Sequence, residues 1–331
     1  MSAKVKPGAT KIKKFISSLK KAPWLGSARR WWPDYLFHVT DIQNAVAILR
    51  EGVLLSRHGA IRQGLMVTDN ASGEIIAQTE SRWKDYVRLY FRPRTPTHYQ
   101  SEGFRPPGQR VYEAHCPVPI CLLFDSYSVL AQVGSLFSNG NLAADADVFE
   151  ATDDLEQLPF DRIYHDSWFG PENRGTIVFH RNAEVAVPAQ LGLGALRFVG
   201  CRSQAEYESF LHLLPPRAQM RWADKIGLAP RMHLFNKRWT FVESAELGST
   251  KVVLQFSRHS LTPGPFSAKV SITDTISEKR FAWVDQCYEA DGLLEVSLCD
   301  IGPLTDFSIR LSLDGQLAYA GRYQETDNLP W

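Results

Sequence analysis

Hydrophobic and polar positions follow two different rhythms along this chain, and the change between them falls near residue 230. In the first part, strand-like and helical spacings are mixed. Residues 35–40 alternate like a strand, whereas the apolar positions of 42–49 recur at the spacing of an amphipathic helix. Asp41 or Thr40 can cap that helix, and Gly52 can end it. This mixture predicts an α+β domain.

The second part has the pattern of short alternating strands separated by glycine- and proline-containing turns. Seven segments share it, namely 239–243, 251–257, 268–273, 281–288, 294–300, 307–313 and 316–323. They predict an antiparallel β-sandwich, which serves either as a docking module for a partner or as a structural appendage. Three prolines, at 215, 216 and 230, mark a linker before it. The predicted units are a basic arm at 1–33, a mixed domain at 34–214, the linker at 215–230 and the sandwich at 231–331.

The segment 82–99 combines a strand with a rigid turn. Residues 86–91 are apolar or aromatic apart from Arg88, which predicts a buried strand. The prolines that follow remove backbone donors and disfavour helix, so the strand ends in a turn that carries Arg92 and Arg94. Two arginines beside such a turn suit a bound anion. The alternative is a core strand followed by a basic surface turn.

The net charge of +1 hides a strongly basic N-terminal segment. Residues 1–33 hold nine lysines and arginines and no acid, so the remaining 298 residues carry a net charge of −8. A basic arm of this kind indicates nucleic acid or another acidic partner. The candidate contacts are Lys13 and Lys14, in a predicted amphipathic helix over 11–21, and Trp31, which can stack on an unpaired base. The alternative is a solvated tail whose tryptophans pack on the body.

Composition narrows the class of protein. A hydrophobic fraction of 44% with 22% charged residues is typical of a soluble globular chain, and no apolar run reaches the roughly 18 residues that a membrane span needs. No apolar segment follows the basic N-terminus, so no signal peptide is expected. The five cysteines are odd in number and widely spaced, which predicts free thiols in the cytoplasm. No metal site is expected, because the Cys116 and Cys121 pair has no matching Cys or His pair.

Three residues within the predicted strands carry chemistry. His38 and Thr40 are two apart, so on a strand they share one face and can hydrogen-bond a ribose or an amide. A satisfied core histidine is the plainer explanation. Glu184 lies within an apolar strand signal, where a carboxylate is costly to bury unless it is paired or functional.

Five blocks in order resemble the DarT family of nucleic-acid ADP-ribosyltransferases, which is built around a DUF4433 domain. The first is Phe-His-Val-Thr at 37–40 with the helix start after it and Gly-Val-Leu-Leu-Ser-Arg at 52–57, and the second is Asp-Tyr-Val at 85–87 with Tyr-Phe-Arg-Pro-Arg-Thr-Pro at 90–96. The third is Phe-Ser-Asn-Gly-Asn-Leu-Ala at 137–143, which has Asn139 where the family usually has Asp. The fourth consists of the spaced residues Phe149, Asp154, Leu155 and Trp168, and the fifth is Arg-Asn-Ala-Glu-Val at 181–185, followed by Val187 and Pro188. The resemblance covers roughly residues 35–200. It implies an ADP-ribosyltransferase-like mixed fold.

The resemblance also implies roles for residues and partners. Glu184 would be the catalytic carboxylate, and His38 with Thr40 would hold the nicotinamide ribose of NAD, the only co-substrate expected. The acceptor would be a base in single-stranded DNA or RNA. The protein would act as the toxin of a toxin–antitoxin or anti-phage system, with an antitoxin and a chaperone as candidate partners.

The family has an essential arginine before its Asp-Tyr-Val block. Arg82 is the best match for this catalytic arginine, with Arg57 and Arg62 as the other candidates. Arg57 is also expected to contact NAD, and Tyr90 with Phe91 would wall the nicotinamide side of the pocket.

The chemistry of NAD requires groups of these kinds. An arginine fork suits its pyrophosphate, and a carboxylate stabilises the positive charge that grows on the sugar when the nicotinamide bond breaks. The same carboxylate can accept a proton from the attacking nitrogen of a base, which must be unstacked to react. No Gly-x-Gly-x-x-Gly follows a strand, so a Rossmann mode of binding is excluded. Two alternatives stay open: an NAD-consuming enzyme with water or protein as acceptor, and a non-catalytic nucleic-acid binder.

Overall fold

The computed structural model describes residues 4–69 and 73–325, in which a mixed α/β domain precedes an all-β domain. In chain order, the α-helices are α1 (Ala9–Leu19), α2 (Ile42–Glu51), α3 (Arg57–Arg62), α4 (Gly73–Gln78), α5 (Pro96–Ser101), α6 (Ser126–Leu130), α7 (Phe160–Ile163), α8 (Arg174–Arg181), α9 (Gln204–Leu213) and α10 (Pro216–Trp222). The strands of the first domain are β1 (Tyr35–Asp41), β2 (Val53–Leu55), β3 (Tyr86–Tyr90), β4 (Pro119–Asp125), β5 (Leu136–Ser138), β6 (Val148–Phe149), β7 (Glu184–Pro188), β8 (Gln190–Gly192), β9 (Leu196–Cys201) and β10 (Ile226–Leu228). Those of the second are β11 (Val242–Leu247), β12 (Lys251–Phe256), β13 (Phe266–Asp274), β14 (Arg280–Tyr288), β15 (Leu293–Ser297), β16 (Asp306–Leu313) and β17 (Gln316–Gln324).

The first domain is built on an eight-stranded sheet in the order β10-β9-β4-β1-β3-β7-β5-β6, and β2 with β8 form a separate pair. The central strand β4 is apolar on both faces and is buried almost throughout, because helices and loops cover both sides of it. Helix α2 begins and ends as its spacing predicts. The Asp41 carboxylate accepts the N–H of Gln43, and Gly52 closes the helix at a φ of 75°. The expected mixed α+β fold is therefore confirmed.

The second domain is the antiparallel sandwich that the alternating pattern predicts. Its sheets have the orders β11-β12-β15 and β14-β13-β16-β17. The first strand begins three residues later than expected because residues 239–241 contact the first domain instead. Thr240 bridges to Phe104, and its hydroxyl donates to the Thr262 carbonyl. The sequence pattern predicts that residues 239–241 are extended, but it does not show which part of the chain they contact.

The segment predicted as a linker folds largely onto the first domain. It forms α10 and β10, and β10 pairs in parallel with β9 at the edge of the large sheet. The Trp222 indole N–H donates to the Leu49 carbonyl at 3.0 Å. Helix α9 then joins the two domains, since Ser203 donates to the Val242 carbonyl and Ser209 accepts the N–H of Ala320.

The basic N-terminal segment packs on the first domain from residue 4 onward. The apolar face of α1 is buried through Ile12 and Leu19, and Trp32 is buried with 2% exposure. The Lys6 ammonium donates to the carbonyls of Ser135 and Glu150. The segment is thus a folded part of the first domain and not a solvated tail, and its contact with nucleic acid stays a prediction. Trp32 is an apolar anchor, whereas Trp24 is 40% exposed, and Lys11, Lys13 and Lys14 of α1 face outward.

Three further features of the described residues bear on the class of protein: membrane-spanning helices, cysteines and metal sites. No helix among them is long and apolar enough to cross a membrane. All five cysteines are free thiols, three of them buried. Over residues 4–69 and 73–325, no group of three metal-binding side chains occurs.

Candidate active site

A cavity of about 520 Å³ opens beside the contact between β1 and β3. These strands pair at a single position, Phe37 with Tyr90. Residues 38–40 of β1 and 86–88 of β3 line the cavity next to this pair. Its volume lies within the range of about 300–1,000 Å³ that is usual for small-molecule sites.

A buried ion pair forms the polar end of this site. Glu184 lies opposite Tyr90 in the β3–β7 ladder, and Arg88 is the next residue of β3 on the same face. The Arg88 guanidinium binds both carboxylate oxygens, with Nε and one terminal nitrogen each 2.5 Å from an oxygen. Glu184 is fully buried, whereas the Arg88 side chain is 28% exposed and lines the cavity. Arg88 therefore lies between Glu184 and the open space.

The turn at 139–141 fixes Glu184 from its other side. The Ser138 hydroxyl accepts the Glu184 N–H at 3.0 Å, and the Leu142 N–H donates to the carboxylate at 3.3 Å. A Cβ on Gly140 would lie 2.2 Å from the Phe179 ring, so the turn can approach α8 this closely only with glycine. These contacts fix the carboxylate before any ligand binds.

His38 lies on the other side of β3 from Glu184. Its Nδ1 is 3.0 Å from the Arg88 carbonyl. A carbonyl only accepts, so Nδ1 carries the proton. Burial lowers the pKa of His38 and keeps the ring neutral near pH 7, which leaves Nε2 as an acceptor for a ligand hydroxyl.

Tyr90 and His98 form an aromatic wall of the cavity. Their rings meet edge to face with centroids 5.0 Å apart. Burial, with a smaller contribution from His38, lowers the pKa of His98 to about 3. Burial and the Glu184 charge raise the pKa of Tyr90. Both groups are therefore uncharged at neutral pH and present flat, neutral surfaces.

Four of the sequence-predicted residues line this one cavity: His38, Thr40, Arg57 and Tyr90. Thr40 is almost fully buried. Arg57 forms a bidentate ion pair with Asp69. The structure thus brings together residues from β1, α3 and β3 that are far apart in sequence.

The structure corrects the placement of Arg82. Its side chain is 64% exposed, pairs with Glu80 at 2.6 Å and lies over the Trp83 ring. It is not among the residues that line the cavity. It belongs to a short 3₁₀ turn before β3, which directs it outward. Arg88, six residues later, occupies the position next to the carboxylate.

The structure also corrects the placement of Phe91 and Arg92. Phe91 alternates with Tyr90, so its ring points to the opposite face and packs in the core against Phe160. Arg92 is buried with 1% exposure, bonded to Asp166 and stacked over Trp32. Neither side chain lines the cavity.

The remaining predicted nucleic-acid contacts lie outside the cavity. Arg94 pairs with Asp166 at 2.9 Å and is 27% exposed. Lys13 and Lys14 are exposed on α1, and the Lys13 ammonium lies 4.5 Å from the centre of the Tyr127 ring. Trp31 is half-buried against Phe37 and other aromatic residues. Arg62, the other candidate for the essential arginine, is 69% exposed beside Asp85.

Sequence reasoning did not assign a role to Arg88, although a signal for it was present. Arg88 and Glu184 are single charges within apolar strands. Two such charges of opposite sign stabilise each other when the strands are neighbours. The missing information was that β3 and β7 pair.

This mixed sheet, with its cavity and buried carboxylate, has the architecture of an ADP-ribosyltransferase. A family model described as "DarT: ssDNA thymidine ADP-ribosyltransferase, DarT" matches residues 37–235. The chain belongs to this family, which confirms the resemblance and the expected class of enzyme.

Solved structures match part of the chain. Thermus sp. 2.9 DarT in complex with ADP-ribosylated ssDNA is 20% identical, with coverage of 60% of this chain and 96% of that chain and a TM-score of 0.48. The Thermus protein in complex with NAD+ is also 20% identical, with 60% and 97% coverage and a TM-score of 0.45. Thermosipho africanus DarTG in complex with ADP-ribose is 14% identical, with 64% and 53% coverage and a TM-score of 0.44. No curated protein matches the chain.

Proposed function

We propose that this protein transfers ADP-ribose from NAD to thymidine in single-stranded DNA, with Glu184 as the catalytic carboxylate. One observation carries the proposal. His38 and Glu184 lie on the two strands that flank β3, and Arg88 contacts both, through its carbonyl and its guanidinium. Residues predicted separately from sequence are thus joined through Arg88, with His38 lining the cavity and Glu184 buried behind the guanidinium.

The cavity suits an anionic dinucleotide. Three cationic side chains line it, Arg57, Lys84 and Arg88, and no lining residue in the described part of the chain is acidic. Cationic groups match the pyrophosphate of NAD, and the phosphates would compete with Asp69 and Glu184 for the forks of Arg57 and Arg88. Bound NAD would supply the ADP-ribosyl group and the bond to nicotinamide that breaks. The Tyr90 ring offers a flat face for nicotinamide, and Nε2 of His38 an acceptor for a ribose hydroxyl.

Glu184 has two tasks in this proposal. It stabilises the positive charge that develops on the sugar and accepts the proton from the attacking nitrogen of the base. Arg88 covers the carboxylate and occupies both of its oxygens. Arg88 must therefore release at least one oxygen when substrate enters, and it keeps the site inactive until then.

The choice of single-stranded DNA rests on the family description, which names thymidine in ssDNA. A base paired in a duplex does not expose its pairing edge, so a single strand is the natural substrate. The family resemblance also supports a role as a toxin controlled by an antitoxin. The C-terminal sandwich, which contains none of the proposed catalytic residues, is then the candidate docking module for that partner or a chaperone.

The experiment is to incubate the full chain with labelled NAD and separate pools of single-stranded DNA, RNA and protein. The proposal predicts label on thymidine-containing DNA only, transferred by Glu184→Gln about 10²- to 10⁴-fold more slowly than by wild type. Label on RNA or protein, or free ADP-ribose alone, would identify another acceptor. Salt-sensitive DNA binding without nicotinamide release would show a non-catalytic binder.

A further inference from the structure

A cluster of arginines adjoins the cavity on the far side of its wall. The Asp166 cluster consists of Arg29, Arg92, Arg94 and Arg181 around Asp166. Arg92 and Arg94 each donate to one oxygen of the Asp166 carboxylate, at 2.6 and 2.9 Å. Arg181 donates to Nδ1 of His165 at 2.7 Å and to the Ser167 carbonyl at 2.8 Å. Arg29 donates to the carbonyls of Tyr164 and Trp24.

The cluster has more positive charge than its own groups balance. It contains four guanidinium groups, and among the described ion pairs Asp166 is the one carboxylate that they contact. Burial, together with the neighbouring charges of Arg94 and Arg29, lowers the pKa of Arg181. His165 accepts from Arg181 and is neutral, because burial and the nearby arginines lower its pKa. An anion would relieve this repulsion.

Two hydrogen-bond donors of the Asp166 cluster also lack partners among the described residues. Within the described residues, Nε of Arg94 and Nε of Arg181 are buried and have no hydrogen-bond partner. A buried donor without a partner is costly, commonly by about 1–3 kcal/mol. Two unpartnered guanidinium donors in one cationic cluster point to a ligand with several acceptor oxygens, as a phosphate has.

The cluster and the cavity share a wall. Thr97, three residues after Arg94, and Asn182, directly after Arg181, both line the cavity. The Thr97 hydroxyl donates to the Asn182 side-chain oxygen at 3.0 Å, so this pair separates the two spaces. A ligand on the cluster would therefore lie close to the part of the cavity that Thr97 and Asn182 line.

Exposed aromatic residues adjoin the cluster. Trp168, two residues after Asp166, is 85% exposed, and Trp24, whose carbonyl accepts from Arg29, is 40% exposed. Aromatic rings beside a cationic groove are the usual device for holding single strands, because any base can stack on them.

We propose that the Asp166 cluster binds a phosphodiester of the single strand whose base enters the cavity, with Trp168 stacking on a neighbouring base. This inference rests on the proposed function and adds the path of the strand to it. The guanidinium groups of Arg94 and Arg181 bind the phosphate. The buried Arg92 positions Asp166 and adds positive charge on the side that faces the core.

The test is to titrate the full chain, without NAD, into a labelled thymidine-rich DNA strand of about 16 nucleotides. Fluorescence anisotropy at about 50 to 200 mM salt gives the affinity and its salt slope. Arg94→Gln should bind about tenfold more weakly, with a slope reduced by about 0.7, as expected when one phosphate contact to a single strand is lost. Arg94→Lys keeps the charge and should restore most of the slope.

Two further variants complete the design. Arg280→Gln removes one exposed charge from β14 of the sandwich and should bind like wild type. Trp168→Ala cannot disturb the core, since the side chain is exposed, and should weaken binding by a factor of about 10, which equals about 1.4 kcal/mol.

The inference is overturned if Arg94→Gln and Trp168→Ala both bind DNA with wild-type affinity and slope. It is also overturned if Arg94→Gln weakens NAD binding and leaves DNA binding unchanged, because the phosphate would then be that of the dinucleotide. Failure of the proposed function is distinguishable, because it would appear as unmodified DNA in the labelled-NAD experiment, whatever this NAD-free titration shows.

Discussion

The Arg88 guanidinium holds both carboxylate oxygens of Glu184 in a bidentate pair. A fully buried carboxylate is tolerated because this partner balances its charge. Burial acts to lower the pKa of Arg88, but the charge of Glu184 and its hydrogen bonds outweigh burial and raise that pKa, so the guanidinium stays charged. The same residue thus stabilises the buried carboxylate, the proposed catalytic group, and covers it.

Removing Arg88 should therefore destabilise the fold. Arg88→Gln leaves Glu184 as an unpaired buried charge and should lower the free energy of unfolding by about 3–5 kcal/mol. Adding Glu184→Gln to that variant should recover much of the loss. Arg82→Gln is the matched control, and because Arg82 is exposed its effect should stay within about 0.5 kcal/mol. Urea unfolding measures all four proteins. Equal stability of the Arg88 and Arg82 variants would show that the buried pair does not matter to the fold.

Tyr90 and Phe91 are adjacent in sequence, but substitution of Tyr90 should affect NAD binding, whereas substitution of Phe91 should affect stability. Tyr90→Leu should weaken NAD binding, since Tyr90 lines the cavity, whereas Phe91→Leu should leave it unchanged and cost about 1 kcal/mol of stability, since Phe91 packs in the core. Calorimetric titration with NAD and urea unfolding separate the two effects. Weaker NAD binding by the Phe91 variant alone would contradict the assigned faces of β3.

NAD binding should not follow the ordinary titration of histidine. Burial lowers the pKa of His38 in the folded protein, so the ring stays neutral as pH falls from 8 through the usual value of about 6.5. The affinity for NAD should be constant over this range. It should fall only at lower pH, where protonation of Nε2 removes an acceptor. A binding curve with its midpoint near pH 6.5 would mean that His38 is protonated in the ordinary range.

Asp41 should make stability depend on pH. Burial raises its pKa to about 6 in the folded state from 3.8, so its contribution to stability is fully present below about pH 3.8 and is lost as pH rises through about 6. Asparagine caps a helix equally well and carries no charge. Asp41→Asn should thus be more stable than wild type at pH 8, by up to about 3 kcal/mol, and equal to it near pH 4. Unfolding curves at a series of pH values test this. A constant difference between the two proteins would exclude the assignment.

The parts that sequence predicted well are those set by local periodicity. Alternation over single strands is enough to place the seven strands of the sandwich, and the Asp41 cap and Gly52 stop are enough to place α2. The family resemblance named His38 and Glu184, which the fold places on either side of β3, each in contact with Arg88.

The features that the sequence did not predict depend on which distant residues and strands contact each other. Arg88 was visible as a charge in an apolar strand, but its partner is 96 residues away. The turn after β3 reads as a basic surface, yet Arg92 is buried because Asp166 and Trp32 enclose it. Residues 215–230 have the prolines of a linker, and only the free edge of β9 makes β10 a strand. Charge and proline content do not encode such long-range partners.

Modification of a thymidine-containing strand by wild type and by Glu184→Gln tests the central claim most directly. The rate is read from the mass of the oligonucleotide and from the nicotinamide released, and NAD binding is measured in parallel. With Glu184 as catalytic carboxylate, the variant stays folded and binds NAD, but its transfer rate falls by about 10²- to 10⁴-fold. A folded Glu184→Gln protein that modifies the strand at the wild-type rate would contradict the assignment.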